Sequence, residues 1–118
     1  MSAESMSERL CEVIEGALDA VKAVDSRFLD VRGQTSVTDV MVVTTGTSQR
    51  HVRAIADHVV KAFKALGRAP LGVEGEAQGE WVLVDLGDAV VHVMLPQVRL
   101  YYQLEKLWQL PAAQQSNA

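Results

Sequence analysis

Apolar positions along this chain switch between a period near 3.6 and a period of 2, and the switches mark out eight elements. Leu10, Ile14, Ala17, Leu18, Val21 and Val24 recur at helical spacing, which predicts an amphipathic helix over residues 6–24. Ser5 and Glu8 stand at the spacing of a capping box before it. Leu29 and Val31 then alternate with Asp30 and Arg32, giving a short strand over 28–32 at a sheet edge. Gly33, Gln34, Thr35 and Ser36 form a loop by composition. The run VMVVTT at 40–45 is nearly continuously apolar and β-branched, as in a strand covered on both faces. Gly46-Thr47-Ser48 ends it, and Thr47 or Ser48 can cap the helix that follows. That helix carries Val52, Ile55, Ala56, Val59, Val60, Phe63 and Leu66 on one stripe and stops at Gly67. A strand at 71–73 completes a βαβ unit, whose crossover is expected to be right-handed. After a hairpin comes a last helix, opened by Pro96 and closed by Pro111. Its apolar side holds Val98, Tyr101, Tyr102, Leu104, Leu107 and Trp108, with Arg99, Glu105 and Lys106 among its polar positions. The order is αββαβββα: one α/β domain spanning residues 1–118, with a five-stranded mixed sheet and three helices. Its ordered core covers about 6–109, and 110–118 form a frayed tail.

The hairpin over 80–94 organises the rest. Two apolar runs flank Leu86-Gly87-Asp88-Ala89, and a two-residue turn with Gly87 at its first central position suits a type II′ geometry. That register pairs Leu86 with Ala89, Val84 with Val91 and Val82 with Val93. One face then carries only Val82, Val84, Leu86, Ala89, Val91 and Val93, a core face. The other carries Trp81, Leu83, Asp85, Val90, His92 and Met94, the mixed composition of a surface that binds something. The alternative is that a helix covers this second face and that Trp81 is ordinary core.

The 118 residues suffice to bury roughly two-thirds of the unfolded surface without staples. Cys11 is the only cysteine, which excludes an intramolecular disulfide and a multi-cysteine zinc site. No apolar run reaches the roughly 20 residues of a membrane span, and MSAESMSERL is not a signal peptide, so a cytoplasmic location is expected. The net charge of −4 argues against a general nucleic-acid binder. Between Arg68 and Arg99 there is no Lys or Arg, whereas Glu74, Glu76, Glu80, Asp85 and Asp88 all fall there. A basic protein partner suits that segment better than a phosphate backbone.

Catalytic chemistry finds little purchase. The helix start at Gly46, Thr47 and Ser48, with Arg50, His51 and Arg53 behind it, could receive a phosphate, but it lacks the glycines and lysine of a P-loop. Capping explains it more simply. His51 and His58 are seven residues apart, too far for i,i+4 chelation, and no metal is expected. Asp85 and Asp88 end a strand and occupy its turn, so their carboxylates need not converge. No cofactor and no enzymatic activity are expected.

Five segments taken together resemble the ribosomal silencing factor family, also called Iojap. They are Ser36-Val37-Thr38-Asp39, Gly46-Thr47-Ser48-Gln49-Arg50-His51-Val52, Gly72-Val73-Glu74-Gly75, Gly79-Glu80-Trp81-Val82-Leu83-Val84-Asp85, and Gly87-Asp88-Ala89-Val90-Val91-His92-Val93-Met94. The closing Tyr101-Tyr102-Gln103-Leu104-Glu105-Lys106-Leu107-Trp108 is similar to the family's last helix. The resemblance implies a nucleotidyltransferase-like fold. It also implies a translational repressor that binds the large ribosomal subunit, chiefly through ribosomal protein fourteen of that subunit, and blocks joining of the small subunit under starvation. It departs from the enzymes of that fold: Thr47 separates Gly46 from Ser48, and Leu83 and Gly87 flank Asp85 where a second acid would stand. A nucleotide-binding or nucleotidyltransferase-like enzyme working at Gly46 to Arg50 is the alternative. The family's exposed tryptophan falls on Trp81 and its acidic strand end on Asp85, so the expected protein-binding residues are Trp81, Leu83, Asp85, Asp88, His92 and Met94. Little direct RNA contact is implied. A sizeable apolar patch of Trp81, Leu83, Val90 and Met94 would also let free copies pair as a homodimer.

Overall fold

The computed structural model describes residues 3–34, 38–104 and 106, with side chains described from residue 8 onward. Ser36 and Val37, Leu107, Trp108, Pro111 and the expected tail lie outside what it describes, and the expected capping box at Ser5 does not open the first helix, which already begins at Ala3. The elements are α1 (Ala3–Ala20), β1 (Val24–Asp30), β2 (Val40–Thr45), α2 (Gln49–Lys64), β3 (Gly72–Glu74), β4 (Trp81–Asp85), β5 (Ala89–Met94) and α3 (Pro96–Tyr102). The five strands form one sheet in the order β1-β2-β5-β4-β3. β2 and β5 run parallel, and every other neighbouring pair is antiparallel. The expected αββαβββα order and the mixed sheet are therefore both present.

The hairpin has the expected register. Val82 pairs with Val93 and Val84 with Val91, and the Leu86 amide donates to the Ala89 carbonyl at 2.9 Å. Gly87 takes φ +87° at the first central position, where a side chain would be strained. Its amide donates to the Asp85 carboxylate at 2.9 Å, which fixes the turn. All six residues of the expected core face are buried, in one cluster with Leu10, Ile14, Ala17 and Leu18 of α1 and Val52, Ile55, Ala56, Val59 and Phe63 of α2. Burial of this kind stabilises by about 1.5–3 kcal/mol per large apolar side chain, so this face is the main source of stability. β2 is buried on both faces, with Val40 and Val42 in that cluster and Met41 and Val43 in a smaller one on the far side.

Several boundaries differ from the sequence expectation. α1 stops at Ala20 rather than Val24 because Lys22 turns left-handed, at φ 57°. The Lys22 amide then donates to Asp19 and the Ala23 amide to Leu18, which is a Schellman termination without its usual glycine. Val24 instead begins β1, an edge strand as expected but four residues earlier, with a bulge between Val24 and Arg27. α3 is interrupted after Tyr102, where Gln103 turns left-handed at φ 48°; Leu104 and Lys106 are helical again, and the remainder of the expected helix lies outside the described residues.

Candidate functional site

On the far side of the sheet, cross-strand pairing places Trp81 beside Met94, Leu83 beside His92 and Asp85 beside Val90. The six-residue mixed face therefore exists as a contiguous surface. Glu74 of β3 pairs with Leu83 and extends that row with an acid. Both readings of the face hold in part, because α3 covers one end of it. Met94 is fully buried in the smaller cluster with Val31, Met41 and Val43, and Trp81, Val98 and Leu104 pack against them. Met94 thus belongs to the core of this chain rather than to its surface, which removes it from the patch expected to drive self-association. His92 is buried too, at 7% exposure, whereas Trp81, Leu83, Asp85 and Val90 stay partly exposed.

Trp81 is held rather than merely placed. Its Nε1–H donates to His92 Nδ1 at 3.0 Å, so the neutral His92 ring carries its proton on Nε2. Burial lowers the His92 pKa from 6.5 to about 4, which keeps Nδ1 available as acceptor near neutral pH. On its other side the indole meets Tyr102 at a centroid distance of 4.8 Å, and Tyr102 meets Tyr101 edge-on at 5.0 Å. Such pairs contribute about 0.5–1.5 kcal/mol beyond burial and fix ring orientation. Leu100, Tyr101 and Tyr102 are 71%, 81% and 53% exposed, so α3 adds an apolar and aromatic edge to the face. The sequence reading placed both tyrosines on the packed side of a longer helix and Arg99 on its polar side. In the two-turn helix that forms, the relation is inverted. Arg99 is buried and donates to the Asp25 carbonyl at 2.6 Å and to Thr45 Oγ1 at 2.9 Å.

The backbone beneath Trp81 needs glycine. At Gly75, φ is +90° and a Cβ would lie 2.0 Å from the Trp81 carbonyl oxygen. Arg53 clips the same loop by donating to the Glu76 and Ala77 carbonyls, each at 2.8 Å. The acids Glu74, Glu76 and Glu80 are exposed around this rim, with Asp85 and Asp88 partly so.

The helix start at Gly46, Thr47 and Ser48 is engaged internally. Ser48 caps α2 by accepting from the His51 amide at 3.0 Å. The Thr47 amide donates to His51 Nδ1 at 2.9 Å, and His51 Nε2 donates to the Val21 carbonyl at 2.7 Å. His51 therefore ties the first turn of α2 to the end of α1. At Gly46 a Cβ would stand 2.8 Å from the Val52 amide nitrogen, so this glycine permits close packing of strand end against helix. His51→Ala is expected to lower stability by about 1–2 kcal/mol through loss of both bonds, read by denaturant unfolding. An unchanged midpoint would remove this role. Among the described residues no cluster of three or more His, Cys, Asp or Glu could hold a metal ion. No described helix is long and apolar enough to cross a membrane.

The fold is a small α/β domain that carries a partly exposed, anchored aromatic face with acids around it. Residues 4–118 match the family model described as "Ribosomal silencing factor during starvation". The chain is 46% identical over 99 residues to a protein of Haemophilus influenzae named ribosomal silencing factor RsfS, covering 84% of this chain and 97% of that one. A crystal structure of a Chromobacterium violaceum protein superposes with a TM-score of 0.85 at 42% identity, covering 92% and 96% of the two chains. A mouse protein named "Mitochondrial assembly of ribosomal large subunit protein 1" is 35% identical over 102 residues, covering 84% of this chain and 45% of its own length. The chain belongs to the ribosomal silencing factor family, whose members are ribosome-associated regulators of translation.

Proposed function

We propose that this chain binds the large ribosomal subunit through a basic protein on the joining surface, ribosomal protein fourteen, and represses translation by keeping the small subunit away. The observation that carries this reading is Trp81, partly exposed yet locked by His92 and Tyr102 at the end of a face bordered by acids. A rigid aromatic anchor surrounded by complementary charge is the composition of an interface hot spot. Trp81, Leu83, Asp85 and Asp88 make the contact, extended by Glu74, Tyr101 and Tyr102, while His92 positions the indole from below. The family supports action on the ribosome, and the mouse relative's name supports the large subunit in particular. The acidic rim reconciles a net charge of −4 with a home on an RNA-rich particle, because it favours a basic protein and repels phosphates. Mechanism is then occupancy: the bound domain fills space that the small subunit needs, with no covalent step.

Co-sedimentation with isolated subunits tests the first half, and light-scattering of subunit joining tests the second. The chain is expected to pellet with the large subunit alone and to lower the extent of joining in proportion to occupancy. Equal pelleting with both subunits would overturn the assignment, as would binding that leaves joining intact.

A further inference from the structure

Between Arg68 and Arg99 the sequence has no Lys or Arg, yet a guanidinium sits in the loop that joins β3 to β4. It comes from Arg53, on the second turn of α2. Its Nε–H and Nη2–H donate to the Glu76 and Ala77 carbonyls, each at 2.8 Å. The loop is a single helical turn, in which the Gly79 amide donates to the Gly75 carbonyl at 3.0 Å. An isolated turn supplies no partner for the carbonyls that follow the first, and Arg53 takes those two. Gly79 is buried at φ +69°, and a Cβ there would lie 3.0 Å from Arg53 Cζ, so the guanidinium rests directly against the loop.

The choice of acceptor matters. Arg53 bonds main-chain oxygens in a stretch rich in carboxylates, and no described residue forms an ion pair with Glu74, Glu76 or Glu80. All three acids are exposed. The loop is thereby fixed while its charges stay available to a partner. Trp81 follows the loop directly, and the Glu80 carbonyl accepts from the Leu95 amide at 2.9 Å, just before α3. Order in the loop is therefore order in the backbone that carries the aromatic anchor.

We propose that Arg53 is a positioning residue for docking, holding the 75–80 loop in its bound shape before the partner arrives. This role rests on the docking reading given above. A loop ordered during folding does not have to be ordered again on binding, which tightens the complex mainly by slowing release. Charge alone predicts the opposite sign. A cation beside an acidic rim repels a basic partner, so an arginine acting only as a charge would weaken docking, and removing it would speed association.

Association and release of the full chain on isolated large subunits, compared among wild type, Arg53→Ala and Arg50→Ala, separate the two. Arg50 is exposed on the same helix, so Arg50→Ala removes an equal charge and leaves the strap in place. Arg53→Ala is expected to bind about tenfold more weakly through faster release, with association no slower than wild type. Arg50→Ala should release at the wild-type rate. In the free Arg53→Ala protein the Gly79 amide should exchange with solvent at least about tenfold faster, while β5 amides keep their protection. Wild-type or tighter affinity in Arg53→Ala would overturn the role, as would unchanged exchange at Gly79. Faster release in Arg50→Ala would overturn it too, and so would a loss of β5 protection in step with affinity, which would make the effect one of global stability. Failure of the wild-type chain to bind the large subunit would instead remove the docking reading, and this role with it.

Discussion

Replacing Trp81 by alanine is expected to weaken binding to the large subunit by about thirtyfold or more, a loss of at least about 2 kcal/mol. The same substitution should lower folding stability by roughly 2 kcal/mol, less than the 3–5 typical of a fully buried tryptophan, because the ring is only half buried. Its inner edge packs on the Met94 cluster and on Tyr102, and its Nε1–H would no longer meet His92. Val91→Ala supplies the contrast. Val91 is fully buried on the opposite face of the hairpin, so truncation should destabilise by a comparable roughly 2 kcal/mol. It should nonetheless leave the affinity of the folded fraction unchanged. Denaturant unfolding and subunit co-sedimentation, run on both variants below their transitions, separate the two effects. Normal affinity in Trp81→Ala would leave the docking face without its anchor. An equal affinity loss in Val91→Ala would mean that binding merely follows stability.

That contrast was legible in the sequence because strand alternation is a local property. Once Gly87 and Asp88 form the turn, the sides of Trp81 and Val91 follow from counting residues. The both-sides burial of β2 was readable for the same reason, since VMVVTT leaves no polar side. What failed was set by contacts distant in sequence. Lys22 ends α1 without the glycine that usually signals such a stop. Arg99 reads as a surface residue until the β1 bulge brings the Asp25 carbonyl, 74 positions away, within 2.6 Å of it. Met94 looks available on a mixed face until α3 folds back over that end. The exposure of Tyr101 and Tyr102 depends on Gln103 interrupting α3 after two turns, a geometry that no helical period announces. The residues of the mixed face were therefore readable one strand at a time. Their division into anchor, support and core required the position of α3.

His92 gives the face that carries Trp81 a pH dependence whose sign follows from its burial. In the unfolded chain its imidazole titrates near 6.5, and in the fold burial lowers that value to about 4. Between those values the unfolded state binds a proton that the native state does not, so stability rises with pH across the window. Passing down from pH 6.5 to 4 should therefore remove on the order of 3 kcal/mol. The loss levels off once the native ring is itself protonated. At that point Nδ1 carries a hydrogen and no longer accepts from Trp81 Nε1, so the indole loses its lock at the same pH. His92→Gln retains a side-chain acceptor without the titration, and other acid-sensitive groups such as the Asp30–Arg32 pair cancel when the two proteins are compared. Denaturant unfolding from pH 4 to 8 should show wild type losing about 3 kcal/mol relative to His92→Gln as pH falls, nearly all of it below 6.5. In a Trp108→Phe background, Trp81 fluorescence should shift with a midpoint near 4. A stability difference that stays flat from pH 7 to 4 would mean that burial does not hold His92 neutral, and the lock on Trp81 would need another cause.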